Sequence, residues 1–200
     1  MLLIFSMFSF ALSMSISPGP VNFTILSSAM NYGFKNTIAF LSGATIGFTA
    51  LLAAVCFGLF QLLHGYPIFL DALSIFGAAL LMWMGWGIFR ADPTQVQAQQ
   101  QSQAPGFFYG VMMQWLNPKA WIAAFTGTAI FSVRQSTTDL MLFVLIYFVV
   151  CYVSLLIWAI LGEKMALFLN QGQRMRIMNR IMGIILIAIA LDIGMSRFLV

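Results

Sequence analysis

The stretch Ser15–Phe23, SISPGPVNF, places two prolines and a glycine inside an otherwise apolar run that begins at Met1. Proline lacks a backbone N–H donor and clashes with the preceding helical turn, so an interior proline costs a helix about 3 kcal/mol or more. A helix that enters this segment must therefore break near Pro18-Gly19-Pro20. What such a break does depends on the solvent around the run.

The composition indicates that this solvent is a lipid bilayer. Hydrophobic residues make up 62% of the 200 residues and charged residues only 7%, and the mean hydropathy is +0.96. Soluble domains carry roughly 25% charged residues. Only helices and closed barrels satisfy their backbone in lipid, and barrel strands alternate apolar and polar residues. The continuous apolar runs of this chain predict an all-α integral membrane protein.

Six segments meet the requirement of about 20 mostly apolar residues for a bilayer span. They cover about 2–30, 37–61, 67–90, 106–130, 139–162 and 178–199. No Lys or Arg precedes the first, so we expect a retained span rather than a signal peptide. A Gln-rich stretch divides the chain near its middle. The predicted domains are a first three-helix repeat at 1–91, a cytoplasmic linker at 92–105 and a second three-helix repeat at 106–200.

The second half also carries a break in its first span. That span reads GFFYGVMMQWLNPKAWIAAF, with Asn117-Pro118-Lys119 in the middle. The third spans, IFGAALLMWMGWGIFR and IMGIILIAIALDIGMSR, are loosely alike. Because three is odd, a repeated three-span half enters the membrane from the opposite side. The sequence therefore predicts two inverted repeats, each with a broken first helix.

Paired Gly/Pro-interrupted spans are the best sequence indication of a transporter's substrate site. A half-helix that begins at Pro20 or Pro118 presents unpaired N–H donors and the positive end of its dipole, which attract an anion such as a carboxylate. Ser17 and Asn117 are suitable caps. The alternative is a pair of kinks that only shape the bundle. The candidate substrate-binding residues are Ser17, Pro18, Gly19, Pro20, Asn22, Gln114, Asn117, Pro118 and Lys119.

Two charged residues lie where charge is expensive in a bilayer. Lys119 follows the second break, where it could bind a substrate carboxylate or a neighbouring acid, or pair structurally. Asp192 is the only acid predicted well inside a span, so we expect it to couple proton movement or to pair with an embedded cation, most simply Lys119. Ser13 and Thr24 are further polar candidates, although Ser and Thr also bond helix carbonyls without a functional role.

The SPGP that ends the first span, the NPKAW of the fourth and the FGAALLMWMGWGIFRA of the third resemble the LysE/RhtB family of amino-acid exporters. The resemblance covers essentially the whole chain. It implies export of amino acids or close derivatives from the cytoplasm, driven by the proton-motive force, so protons are a further expected partner. It does not identify the substrate. Because only one acid is predicted deep in a span, a neutral, small or apolar amino acid is the expected cargo.

Other functions remain as alternatives. A passive channel or a structural membrane subunit fits the same spans. An intramembrane enzyme is less favoured, because the sequence has no HExxH, no GxSxG and no intramembrane Asp pair. No cofactor or metal site is expected, and the nine basic residues are too scattered to predict nucleic-acid binding. Cys56 and Cys151 are interpreted as small buried hydrophobes. The oligomeric state is left open, a homo-oligomer included.

Orientation follows from the Lys and Arg residues of the short loops. One side of the predicted spans receives Lys35, Arg90, Lys164, Arg174, Arg176 and Arg180, and the other receives Arg134 and Arg197. The bias predicts cytoplasmic loops between spans 1 and 2, 3 and 4, and 5 and 6. Both termini should then lie outside the cytoplasm. The expected location of the protein is a bacterial inner membrane, with the termini in the periplasm.

Overall fold

The computed structural model describes residues 1–59, 67–90, 104–131, 136–169 and 173–195. Within these ranges all regular structure is helical. The helices are α1 (Leu2–Ile16), α2 (Pro20–Tyr32), α3 (Phe34–Ala54), α4 (Pro67–Arg90), α5 (Phe107–Trp115), α6 (Pro118–Phe131), α7 (Thr137–Leu169) and α8 (Gln173–Met195). Most of the predicted linker, together with Arg134 and Arg197, lies outside the described residues.

Both predicted breaks are confirmed. The first apolar run is interrupted between α1 and α2, which meet at an angle of 58°. Pro20 begins α2, where the missing N–H is harmless because the first N–H groups of a helix have no intrahelical partner. In the second half, α5 ends at Trp115 and α6 begins at Pro118. Each interrupted run therefore becomes two short helices joined by a few irregular residues.

By length and composition, two described helices can each cross a bilayer, Phe34–Gly58 and Thr137–Leu167, and the bent pair α1–α2 is a third when counted as one span. The count of six spans remains a prediction. Helix α7 is longer than the predicted span 139–162, because it continues through Glu163 and Lys164, which are both exposed. Charges on an exposed helix face do not end a helix.

The turn between the first two predicted spans is confirmed at Gly33, whose φ of 84° suits a residue without a Cβ. The end of α3 is a departure from prediction. The segment Val55–Leu59 is a π-turn in which Gly58 has a φ of 139°, where the sequence predicts one continuous helix to about residue 61. A π-turn adds a residue to the helical turn and redirects the chain.

The main helix contacts join the first half of the sequence to the second. Helices α4 and α8, the third spans of the two halves, pack along each other. The second span of each half packs on the broken span of the other, α3 on α5 and α7 on α1 and α2. Such reciprocal contacts are expected for halves related by a pseudo-two-fold axis, so they support the predicted repeat.

Glycines allow the closest of these approaches. A Cβ on Gly43 of α3 would overlap the carbonyl oxygen of Phe107, and a Cβ on Gly110 of α5 would overlap that of Phe40. The small-xxx-small patterns that contain Gly43 and Gly110 therefore serve helix packing. The main hydrophobic core contains buried residues of all eight helices.

Candidate functional site

The carbonyl groups that the first break frees at the end of α1 are met by side chains from other elements. Asn22 Nδ2 donates to the Ser15 carbonyl oxygen at 2.9 Å, and Trp158 Nε1 on α7 donates to that of Ile16 at 3.1 Å. Carbonyls at a helix end lack intrahelical partners, and leaving them unpaired in an apolar surrounding costs free energy. The break is therefore stabilised by one contact within the first half and one from a helix 142 residues away.

Lys119 links the second break to the first. Its ammonium Nζ donates to the Ser17 carbonyl at 2.9 Å, to Ser17 Oγ at 2.8 Å and to the Pro18 carbonyl at 3.3 Å. These acceptors lie at the C-terminal end of α1, the negative end of its dipole, where a cation is favourable. The half-buried Lys119 side chain thus pairs with the two carbonyls that follow α1.

On the other side of the first break, the N-terminal end of α2 has backbone N–H groups without an acceptor among the described residues. The N-cap of α2 is Gly19, without a side-chain capping bond, so the prediction that Ser17 caps this helix is wrong. Ser17 Oγ instead donates to the Met14 carbonyl at 3.2 Å. The first intrahelical bond at this end runs from Phe23 N to the Gly19 carbonyl. Among the described residues, the backbone N–H groups of Val21 and Asn22 have no acceptor.

The second break differs, because the amide end of its second helix is capped. Asn117 Oδ1 accepts a hydrogen bond from the Lys119 backbone N at 3.1 Å, which confirms Asn117 as the predicted cap. The Asn117 carbonyl accepts from Ala120 N at 2.9 Å. Trp121 Nε1 donates a hydrogen bond to the Trp115 carbonyl oxygen at 2.7 Å. Only the first break therefore presents free donors.

A cavity of about 40 Å³ lies between the two breaks. Its polar lining residues are Ser15, Asn22, Gln114, Asn117, Lys119, Tyr147 and Cys151. Four of them are candidates that the sequence predicts, from opposite halves of the chain. The remaining candidates, Ser17, Pro18, Gly19, Pro20 and Pro118, form the breaks and do not line the cavity. The two breaks therefore bring four of the nine candidate residues to one cavity.

Ser15, Tyr147 and Cys151 belong to the cavity wall although the sequence does not single them out. Ser15 is 7% exposed, and its Oγ makes no hydrogen bond of ordinary length among the described residues, although the Tyr147 and Cys151 side chains lie near it. Tyr147 and Cys151 are buried one turn apart on α7, and Ser154 follows on the same helix. Polar residues at i, i+4 and i+7 in an otherwise apolar helix share one face, which is the signal that could have found them.

Asp192 lies apart from this site. It is exposed on α8 and is not among the residues that line the cavity. The described residues place no carboxylate on Lys119, whose ammonium bonds to Ser17 and Pro18. The expected pairing of Asp192 with Lys119 is therefore not found. Of the other candidates, Ser13 is exposed, and Thr24 Oγ1 donates to the Pro20 carbonyl at 2.9 Å.

Long apolar helices, two interrupted spans and a polar cavity between the interruptions define a helical membrane transport protein. The chain belongs to the LysE family, since the model of the LysE type translocator matches residues 12–197. It is 28% identical over 136 residues to the cysteine/O-acetylserine efflux protein of Salmonella typhimurium, which covers 68% of each chain. The cysteine/O-acetylserine efflux protein of Escherichia coli O1:K1 is 29% identical over 135 residues, 67% of this chain and 68% of the relative. No solved structure matches the chain.

Proposed function

We propose that this amino-acid exporter carries a neutral, small or apolar amino acid or a close derivative out of the cytoplasm, driven by the proton-motive force. The observation that carries the proposal is the unpaired amide end of α2 beside the cavity. Side-chain donors meet the carbonyls of residues 15 to 18, whereas Val21 N and Asn22 N have no acceptor among the described residues. A substrate carboxylate supplies the acceptors that these donors lack.

The remaining cavity wall suits the rest of a neutral amino acid. Ser15 Oγ and the Tyr147 hydroxyl offer acceptors for a substrate ammonium group, and Phe48 and Leu155 offer apolar contacts to its side chain. Lys119 is the charged residue of the lining, and no acid accompanies it there. A dibasic substrate would therefore bring an unpaired positive charge, which is costly in a low-dielectric site. Cysteine and O-acetylserine, after which the relatives are named, are neutral amino acids of this kind.

Binding requires the cavity to widen. About 40 Å³ suffices for roughly one water molecule, whose share of liquid volume is about 30 Å³. The Lys119 contacts with Ser17 and Pro18 hold the two breaks together, so they must yield when a substrate enters. A carboxylate can replace Ser17 as the partner of the ammonium group. Movement of one half against the other would then expose the cavity to alternate sides of the membrane.

The test is efflux from vesicles that contain the purified protein and preloaded labelled cysteine, O-acetylserine, alanine, lysine or glutamate, with and without an imposed proton gradient. We expect gradient-dependent efflux of the neutral compounds and little efflux of lysine or glutamate. Lys119→Met, which keeps the length of the chain but removes the charge, should reduce efflux at least about tenfold, the loss of one charge-assisted hydrogen bond.

Lys164→Met is the matched control, because Lys164 is an exposed lysine on α7 outside the cavity. It should transport at the wild-type rate. Equal rates for Lys119→Met and Lys164→Met would remove the cavity from the mechanism. Equally fast efflux of all five compounds without a gradient would indicate a channel.

The coupling role of Asp192 is tested separately. If Asp192 carries the coupled proton, Asp192→Asn should abolish the dependence of efflux on the proton gradient while leaving exchange of substrate across the membrane intact. Normal gradient-driven efflux by Asp192→Asn between pH 6 and pH 8 would assign proton coupling to another group.

A further inference from the structure

A second, larger cavity lies between α2, α4 and α5. Its volume is about 240 Å³, which is below the roughly 300–1,000 Å³ of pockets for drug-sized ligands and suits a smaller molecule. Trp83, Trp86 and Tyr109 form aromatic walls, and Ser27 and Asn31 of α2 form the polar side. It is distinct from the cavity at the breaks, because the two share no lining residue.

Helix α2 contributes residues to the walls of both cavities. Val21 and Asn22, in its first turn, line the small cavity, whereas Thr24, Ser27 and Asn31 line the large one. The buried residues of α2 are unusually polar for a helix in an apolar core, with Asn22, Thr24 and Ser27 each at most 5% exposed. At about 100° per residue, Asn22 faces away from Ser27 and Asn31, so the two cavities lie on different sides of α2 and the helix separates them.

The polar wall of the large cavity is held rigidly. Asn31 and Asn179 of α8 exchange side-chain hydrogen bonds at 3.0 and 2.9 Å, and Asn179 is fully buried. Asn31 Nδ2 also donates to the Ser27 carbonyl at 2.8 Å and to Ser27 Oγ at 3.3 Å. These bonds use the Asn31 amide, whereas the Ser27 hydroxyl keeps its own O–H for a ligand.

The uncharged wall of the large cavity favours a ligand without net charge. The described lining holds no charged side chain, so a net charge in the cavity would have no counter-charge. Trp83 and Tyr109 stand edge to face with ring centroids 6.0 Å apart, and such rings attract an ammonium group. The Arg90 guanidinium lies 5.6 Å from the centre of the Trp86 ring, which places a partner for a carboxylate at the edge of the cavity. A zwitterion satisfies both ends.

We infer that the large cavity is an entry site that binds the same neutral amino acid before it reaches the breaks. The inference rests on the proposed function. It assigns Ser27, Trp83, Trp86 and Tyr109 to initial binding and makes α2 the wall that the substrate passes to reach the breaks. The predicted cytoplasmic location of Arg90 places this cavity on the side from which an exporter takes its substrate.

Gly87 allows the cavity to be filled without disturbing the backbone. It lines the cavity, and a Cβ added there would have no atom within 4 Å. The series Gly87→Ala, Gly87→Leu and Gly87→Trp therefore fills the space in steps. Ala79→Leu is the matched control, since Ala79 is exposed two turns earlier on α4 and outside the cavity lining. Side chains of a helix tilt towards its N-terminus, so a leucine at position 79 extends away from the cavity.

The experiment measures labelled cysteine efflux from vesicles and equilibrium binding of labelled cysteine to the purified protein. We expect efflux to fall in the order Ala, Leu, Trp at position 87, by at least tenfold for Gly87→Trp, while Ala79→Leu transports normally. Lys119→Met should still bind cysteine although its efflux is reduced, and Gly87→Trp in the Lys119→Met background should abolish that binding.

The outcomes separate the two proposals. Wild-type rates of efflux for Gly87→Leu and Gly87→Trp would overturn the entry site and leave the exporter standing. Loss of all binding in Lys119→Met, with folding verified by monodisperse elution, would also overturn it, because a single site at the breaks would explain both measurements. If the wild-type protein neither binds nor transports any neutral amino acid tested, the proposed function fails.

Discussion

At the first break, the ammonium group of one lysine binds several oxygen atoms that follow α1. Lys119 reaches across from the second half of the chain to the Ser17 and Pro18 carbonyls, and its ammonium group has three donors that can be shared among them. An arginine at this position is not equivalent, because its planar guanidinium donates in fixed directions. The geometry of the break therefore depends on a flexible cation of this length.

Gly19 leaves the space that Lys119 occupies. A Cβ at position 19 would lie 3.1 Å from both Cδ and Nζ of Lys119, although the extended backbone of Gly19, with φ at −166°, accepts any residue. Gly19→Ala should therefore displace the lysine without straining the backbone, and it should reduce efflux several-fold with little change in thermal stability. Gly106→Ala is the control, since a Cβ there meets nothing within 4 Å. Wild-type efflux by Gly19→Ala would show that the lysine position is not critical.

Ser15 and Ser154 test whether an unpartnered hydroxyl serves the substrate. Both side-chain oxygens are buried without a hydrogen bond of ordinary length among the described residues, but only Ser15 lines the small cavity. Removing an unsatisfied hydroxyl relieves a desolvation cost of about 1–3 kcal/mol, so Ser15→Ala and Ser154→Ala should both raise the melting temperature. Only Ser15→Ala should raise the KM for efflux. An equal effect of the two variants on KM would exclude a direct contact between Ser15 and the substrate.

At the scale of the helices, packing depends on a glycine crossing. A Cβ at Gly110 would collide with the Phe40 carbonyl and the Ala44 backbone N, neither of which can rotate away. Gly110→Ala should lower the free energy of unfolding by about 1–3 kcal/mol or more, measured as a lower melting temperature in detergent. Gly87→Ala should leave it unchanged or higher, since alanine favours helix and the space is open. An unchanged melting temperature for Gly110→Ala would mean that α3 and α5 can separate.

The breaks could be predicted from the sequence because proline acts locally. Pro20 and Pro118 begin helices in the structure for the covalent reason that the sequence already contains. The capping of the two breaks could be predicted only in part. Asn117 caps the helix that follows it, whereas Ser17 interacts with a lysine 102 residues away. A contact at that separation depends on the packing of the two halves, which local patterns do not encode.

At the scale of the whole molecule, the orientation of the chain remains a prediction from its loop charges. A membrane-impermeant thiol reagent added to intact cells should label Thr138→Cys and leave Lys35→Cys unlabelled, because both positions are exposed and are predicted to lie on opposite sides. The wild-type chain, with its native Cys56 and Cys151, is the control for background labelling. Labelling of Lys35→Cys alone would invert the predicted orientation and move the entry site to the outer face.

The paired amides of Asn31 and Asn179 have a consequence for how force passes through the protein. They join the broken α2 to α8, and α8 packs along α4. Neither amide titrates or carries net charge, so membrane voltage exerts no net force on this joint and acidity does not loosen it. The joint therefore couples a displacement of α2 to α8 and α4 in the same way at any membrane voltage and any pH.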